Sequence, residues 1–304
     1  MPLSISQNRK MSSIKNPAIS GMSPLKTGVR HFVVFDWANL VRRAYHSTEN
    51  HKVLELVGFM LAKQRSEHPN STFVFALEGR GREFRARIFS EYKANRSQDK
   101  TFDRTFEQSM KMLDFIAGIQ IKAPEGEADD AIAAFVEKRT DRDRIVIISE
   151  DKDLWQLIQG DAVKVYAPRK KETINAKKCK EILGVAPKNV ACLKAFLGDS
   201  GDNVPRGVPR MRTASLTSLA AMATTPGKAY TKAREAQTIS AKELARVVKH
   251  KDQIQLNYRL VRLRPNLKML KRERKADPAG LMKYLQKHGW YRINVETVAK
   301  ITGA

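Results

Sequence analysis

The 304-residue chain predicts an α/β fold, a central and mostly parallel sheet flanked by helices, from three observations. Short apolar runs of buried-strand type alternate with stretches of helical period. Three of those runs end on or just before an acid. Between them lies Gly126-Glu127-Ala128-Asp129-Asp130-Ala131-Ile132-Ala133-Ala134-Phe135-Val136, which crowds three carboxylates at the start of an apolar helix. The helix dipole favours acids there by roughly 0.3–1 kcal/mol each, but three of them repel one another, and a cation held between them resolves the conflict.

In chain order, residues 1 to 29 are rich in Ser, Pro, Asn, Lys and Arg without hydrophobic period and read as a disordered basic arm. His31-Phe32-Val33-Val34-Phe35 is a strand ending on Asp36, with Asn39 and a helix through Leu40, Val41 and Tyr45 behind it. A helix is expected over Val53 to Arg65. Thr72 to Leu77 is a strand ending on Glu78, and Arg144 to Ser149 is a strand followed by Asp151 and Asp153. Ligands of such sheets sit beyond the carboxyl ends of the strands, so these acids converge on one edge.

Between the second and third of these strands runs Gly79-Arg80-Gly81-Arg82-Glu83-Phe84-Arg85-Ala86-Arg87, then Tyr92-Lys93-Ala94-Asn95-Arg96. This is a basic density suited to phosphate contacts, and residues 97 to 120 after it are helical in places. Val163 to Tyr166 adds a strand. A helix through Val190, Leu193, Phe196 and Leu197 stops at Gly198, before Asp199-Ser200-Gly201-Asp202-Asn203. Two acids three residues apart in a glycine-containing loop can face one centre. Then Arg206-Gly207-Val208-Pro209-Arg210-Met211-Arg212-Thr213-Ala214 is a basic turn into a helix, fit to grip a phosphate. Lys268 to Lys275 is a basic run, and Leu281 to Ile301 is amphipathic and expected to pack back on the body.

Composition narrows the partner. The chain carries 56 Lys+Arg against 32 Asp+Glu, a formal charge of +24, which calls for a polyanion and most simply nucleic acid. Cys179 and Cys192 lack metal-type spacing, the six histidines show no zinc pattern, and no apolar run is long enough to span a bilayer. Two thiols without a secretory leader fit a cytoplasmic setting, the host cell's if the source is viral.

The motifs Asp36-Trp37-Ala38-Asn39, Tyr92-Lys93-Ala94-Asn95-Arg96, Glu127-Ala128-Asp129-Asp130, Asp151-Lys152-Asp153 and Gly198-Asp199-Ser200-Gly201-Asp202-Asn203 occur in a recognisable order. Over roughly residues 31 to 265 the chain resembles the structure-specific 5′-nucleases, meaning flap endonucleases, the 5′-nuclease domain of bacterial DNA polymerase I, and bacteriophage exonucleases. It looks most like a phage-encoded member standing alone.

The resemblance implies a PIN-like 5′-nuclease fold with a nuclease domain over 30–198, a helical arch at about 80–120, and a helix-hairpin-helix-type DNA-binding region over 199–304. It implies a first metal site formed or supported by Asp36, Glu127, Asp129, Asp151 and Asp153, and a second shaped by Asp130, Asp199 and Asp202. Glu78 stands where the family has Asp. Lys93 and Arg96 match the basic pair at the base of the arch, Lys93 steering the scissile phosphate, and Arg85 matches a nearby family arginine. The family pattern close to GVPGIGxKTA becomes Gly207-Val208-Pro209-Arg210-Met211-Arg212-Thr213-Ala214 here. Arg206, Arg210, Arg212 and Thr213 are the expected duplex contacts, and the two lost glycines weigh against the potassium ion that relatives hold. Trp37, replacing a common glycine, is expected to pack rather than stack on a base.

The chemistry agrees. All-oxygen carboxylate sites suit Mg²⁺, with Mn²⁺ as a substitute, and two such ions roughly 4 Å apart serve an in-line phosphodiester displacement. The expectation is a Mg²⁺-dependent 5′-to-3′ exonuclease and flap endonuclease. It would act as a monomer on DNA with 5′ ends, flaps or nicks and on RNA–DNA hybrids, in phage replication, primer removal or recombination. A DNA-binding homologue that no longer cleaves is the alternative from another class. It gains nothing from so many acids facing phosphate. A ribonuclease of the PIN class is the third reading, against which the arch-like insertion and the helix-hairpin remnant weigh.

Overall fold

The computed structural model describes residues 28–49, 52–96, 99–290 and 293–304, so the expected basic arm lies, up to residue 27, outside the described residues. Strands β1 (Arg30–Asp36), β2 (Ser71–Leu77), β3 (Gly118–Lys122), β4 (Asp143–Ile148), β5 (Val163–Ala167), β6 (Glu172–Ile174) and β7 (Leu270–Arg274) form one sheet in the order β6-β5-β4-β1-β2-β3-β7. The five inner strands are parallel, and the two edge strands, β6 and β7, run antiparallel to their neighbours. Up to Leu197 the chain adds helices α1 (Trp37–Tyr45), α2 (Val53–Glu67), α3 (Gly81–Ile88), α4 (Lys100–Met112), α5 (Ala128–Glu137), α6 (Ala176–Leu183) and α7 (Val190–Leu197). Beyond it come α8 (Thr213–Met222), α9 (Pro226–Glu235), α10 (Ala241–Lys249), α11 (Lys251–Val261), α12 (Pro278–Lys287) and α13 (Val295–Thr302).

Side chains alternate across a strand, so each inner strand feeds two cores. Phe32, Val34, Val74, Ala76, Ile119 and Ile121 face one side, where α5 covers them, with Phe135 edge-on to Phe32 at 5.3 Å. Val33, Phe35, Phe73 and Phe75 face the other, under α1, α2 and α4. Fully burying such side chains contributes about 1.5–3 kcal/mol each, which explains why the strands read as unbroken apolar runs. Trp37 packs as expected. It is wholly buried, edge-on to Phe75, and its Nε1–H donates to the Ser109 hydroxyl at 3.1 Å.

Two segments differ from the sequence reading. Of the stretch expected to arch (about 80–120), Gly118–Lys122 forms β3 inside the sheet, and α4 buries Phe102 and Met112 in the second core. Between α3 and α4 lies the Lys93 turn, which is hydrogen-bonded to the loop at 199–204. The basic run at 268–275 contains β7, an edge strand whose charged Lys271, Arg272 and Glu273 point into solvent. Leu281, Leu285, Val298 and Ile301 pack into the second core, so the end of the chain does fold back on the body.

Candidate functional site

The acids meet at the carboxyl ends of β1, β2 and β4, each set by its local turn. Asp36 ends β1 and caps α1, its Oδ1 accepting from the Asn39 amide at 3.1 Å. Glu78 follows β2 and its Oε2 accepts from the Ala128 amide at 3.1 Å, which ties that strand end to the first turn of α5. Gly79 and Gly81 make this approach possible. A Cβ on Gly79 would fall 2.0 Å from the Ala123 carbonyl, and one on Gly81 would fall 2.2 Å from the Glu127 nitrogen. The two glycines thus seat the Glu78 loop against the chain that carries Glu127 and Asp129. Beyond β4, Asp151 Oδ1 accepts from the Asp153 amide at 2.8 Å, turning the chain so that both acids face the same way.

Asp199 and Asp202 occupy a tight loop after α7. The Asp199 and Val204 backbones exchange hydrogen bonds at 2.8 and 2.7 Å, and Gly198 enters at φ 76 with no room for a side chain beside Pro205. One carboxylate oxygen each from Asp153, Asp199 and Asp202 lies within 4.8 Å of the others. The Lys93 turn is stitched onto this loop: the Lys93 amide donates to the Asp202 carbonyl at 2.9 Å, Asn95 to the Ser200 carbonyl, and Asn203 to the Glu91 carbonyl. Lys93 and Asn203 both adopt left-handed backbone, at φ 55 and 56, so strain is held at the seam.

Electrostatics report how tightly the acids are packed. Burial and the facing Glu78 push the Asp36 carboxyl up to about 7, and Asp151 adds to it. Burial, with Asp151 and Asp36 beside it, drives Asp129 well above the usual carboxylate range. Asp153 is also pushed up to about 7, mainly by burial and then by Asp151, against the pull of Lys194. Glu78 is raised by enclosure and by Glu127, although its side chain opens to solvent at the rim and that exposure limits the effect. Asp199 goes the other way despite partial burial, held low by Lys194 and the Gly201 amide.

Two cations stand among these acids. Lys93 Nζ lies 2.8 Å from Glu127 and 3.6 Å from Asp202, and these pairs hold its ammonium above its ordinary range against the cost of burial. Lys194 bridges Asp153 and Asp199 from α7. Arg96 pairs with Asp202 at 2.6 Å from a half-exposed position on the rim. Even so, acids outnumber cations here, and an all-oxygen set with mutually raised carboxyls fits divalent cations of the hard class. Asp36, Asp129 and Asp151 with Glu78 and Glu127 would hold one; Asp153, expected with that group, instead lies with Asp199 and Asp202, which would hold another.

Asp130 stands apart from the expected second site. It is wholly buried, and Arg85 clamps it in a fork at 2.9 and 3.0 Å. Arg264 adds its side chain at 3.1 Å and its amide at 3.0 Å, and the Glu127 amide adds a further bond at 3.1 Å. With both oxygens committed, Asp130 anchors α5 and has no free lone pair facing the other acids, and Arg85 is its partner rather than a group open to substrate. Lys194 and Arg264 went unread in the sequence, and Tyr92 was quoted in a motif without a role. Lys194 had one signal, a lone cation within the apolar run Val190–Leu197.

The expected duplex contacts lie together. Arg206 braces the turn by donating to the Met211 carbonyl and the Thr213 hydroxyl at 2.8 and 3.2 Å. Arg210 is exposed and keeps φ 57, the left-handed backbone that a glycine would supply at that position, at a cost of about 1–2 kcal/mol. Arg212, exposed, approaches Glu243 at 3.6 Å and makes no side-chain capping bond to the amides at the start of α8 among the described residues.

Comparison with known proteins agrees with this geometry. Residues 31–184, half of the chain, match the family model of the 5'-3' exonuclease N-terminal resolvase-like domain. The chain is 32% identical over 187 residues to DNA polymerase I of Pseudomonas aeruginosa, a match covering 58% of this chain and a fifth of that protein (20%). It is 30% identical over 198 residues to the 5'-3' exonuclease of Buchnera aphidicola subsp. Schizaphis graminum, covering 61% of this chain and 68% of that one. In fold it is similar to the bacteriophage T5 D15 protein co-crystallised with metal ions (TM-score 0.65, 18% identity, 90% of this chain and 97% of that one). It is also similar in fold to human GEN1 in complex with Holliday junction DNA (TM-score 0.59, 16% identity, 91% and 73%). The chain belongs to the 5'-3' exonuclease family.

Proposed function

We propose that this chain is a divalent-cation-dependent nuclease that hydrolyses DNA phosphodiesters from 5′ ends and at 5′ flaps, acting as a monomer. The observation that carries the reading is the gathering of Asp36, Glu78, Glu127, Asp129, Asp151, Asp153, Asp199 and Asp202 beside Lys93 and Arg96. Binding alone gains nothing from so many acids turned toward a phosphate. Two Mg²⁺ ions, or Mn²⁺ in their place, would supply a water activated at neutral pH and stabilise charge on the entering and leaving oxygens.

The chain's own residues then have separate tasks. The carboxylates orient, their charge offset from outside. Lys93, now paired to Glu127 and Asp202, can turn its ammonium to the scissile phosphate and steady the developing charge. Arg96 on the rim draws the strand in. Arg206, Arg210, Arg212, Thr213 and the amides starting α8 form a second phosphate grip for duplex, positioning without reading bases. RNA–DNA hybrids fit the same grip, since it addresses backbone. The test is incubation with 5′-flap, nicked, blunt and single-stranded DNA, each in Mg²⁺ and in EDTA. Release of 5′-phosphorylated products from flap and nicked substrates in Mg²⁺ only is expected. Tight binding without cleavage would leave a DNA-binding homologue instead.

A further inference from the structure

Asp130, though spelled within the acid motif, takes no part in the acid cluster. Its carboxylate accepts five hydrogen bonds: two from the Arg85 fork, two from Arg264 and one from the Glu127 amide. Two guanidinium groups sharing one buried carboxylate repel each other, so their shared position needs further fixing. Arg85 has it from the Leu260 carbonyl at 2.9 Å, and Arg264 has it from the Glu125 carbonyl at 2.6 Å and from the ring of Phe84, 4.1 Å below its guanidinium.

Those contacts join four pieces of chain. Arg264 and Leu260 belong to the end of α11 and the residues after it, Phe84 and Arg85 to α3, Asp130 to α5, and Glu125 and Glu127 to the turn before α5. From this hub the contacts run on to the site. Arg85 approaches Glu127 at 3.5 Å. The same Glu127 oxygen accepts from the Tyr92 hydroxyl at 3.1 Å and from Lys93 at 2.8 Å, and the Tyr92 hydroxyl also lies 3.1 Å from Asp202. A small third core of Tyr92, Ala191, Val204, Leu260 and Val261 packs beneath the same turn and binds the same pieces together.

We propose that Arg264 is a positioning residue for cleavage: through Asp130 and Arg85 it fixes Glu127, and thereby Tyr92 and Lys93, against Asp202. The inference rests on the nuclease reading above, and it places an effect on the reacting centre 171 residues along the chain from Lys93. It also moves Asp130 from the metal ligands to the scaffold. Arg264 is the informative probe because its removal still leaves Asp130 paired in the Arg85 fork, so no buried charge is stranded.

The experiment is a double-mutant cycle on a 5′-flap substrate, with single-turnover cleavage measured at saturating enzyme in Mg²⁺ and substrate affinity measured in Ca²⁺. Arg264→Ala is expected to slow cleavage about 10- to 100-fold, the scale of a displaced catalytic group, while affinity changes less than about threefold. Arg264→Lys should recover much of the rate by returning a cation to Asp130. In a Lys93→Ala background, Arg264→Ala should slow the residual rate by less than about threefold, because the group it positions is already gone. Equal slowing in both backgrounds would overturn the proposal. So would a loss of affinity matching the loss of rate with a shallower salt dependence, the mark of a plain phosphate contact. Thermal unfolding accompanies each variant, and Arg264→Gln, which keeps a donor for the Glu125 carbonyl, takes the place of the alanine if that variant unfolds at assay temperature. Wild-type protein that cuts no flap in Mg²⁺ would sink the nuclease reading, whereas wild-type cutting with additive variants would sink this inference alone.

Discussion

The acid cluster should make the protein more stable once one of its acids is neutralised, and Asp36→Asn isolates the effect. Asn keeps an oxygen to accept from the Asn39 amide, so the cap on α1 survives the change. The Asp36 carboxyl is raised from 3.8 to about 7, which means the folded chain holds this proton more tightly than the unfolded one. Between those values the folded state binds more protons, so stability from this group falls as pH rises through the window. At about 1.4 kcal/mol for each pH unit, ionising Asp36 in the fold costs up to about 4 kcal/mol at pH 8. At pH 5.5 the fold still holds the proton while the unfolded chain has lost it, a loss of stability of about 2 kcal/mol that falls below about 1 kcal/mol near pH 4. In EDTA at pH 8 Asp36→Asn should therefore melt above wild type, by about 2 °C per kcal/mol in a chain of this length. The gap should halve at pH 5.5 and close or reverse in about 10 mM Mg²⁺, because a cation bound more tightly by the folded wild type than by the variant stabilises it. Thermal unfolding followed by circular dichroism measures all three conditions. A variant that melts at or below wild type in EDTA at pH 8 would show that the acids do not strain the fold.

Further expectations concern individual side chains. Asp153→Asn should abolish cleavage while flap binding in Ca²⁺ stays within about threefold, since a ligand is lost and positive surface is not; ordinary turnover would remove Asp153 from the site. Lys93→Ala should lower turnover more than affinity, whereas Arg210→Gly, which keeps the left-handed backbone, should weaken duplex binding and reduce its salt slope by roughly 1, and matching losses of affinity would reverse the assigned roles. Asp143→Ala should destabilise the chain by about 1–3 kcal/mol in urea unfolding, because it strips the buried acceptor that holds the partly exposed Arg30 at 2.7 and 2.8 Å; a change below about 0.5 kcal/mol would mean water replaces the pair.

What the sequence conveyed and what it hid divide along physical lines. Asp36, Glu78 and Asp151 were legible because buried parallel strands are written as apolar runs, and the edge where ligands sit follows from strand direction alone. Strand β7 was hidden because its charges suit an exposed edge, and only pairing with β3 makes it a strand. β3 itself, five residues long, carries only Ile119 and Ile121 as apolar signal. Asp130 was misplaced because a motif gives the acid but not its partners, and Arg264 reaches it from 134 residues away. Gly79 and Gly81 were read only as part of a basic density, and their use is a backbone contact that no local pattern encodes. At Arg210 the lost glycine was visible, but the retained left-handed backbone was not.

The most direct test soaks crystals of the protein in Mn²⁺ and locates the ions by anomalous scattering. Two peaks are expected about 4 Å apart, one among Asp36, Asp129 and Asp151 and one against Asp153, Asp199 and Asp202, with Lys194 moved off its carboxylates and Asp130 still held by Arg85 and Arg264. Manganese absent from this pocket at saturating concentration, or bound through Asp130, would contradict the account.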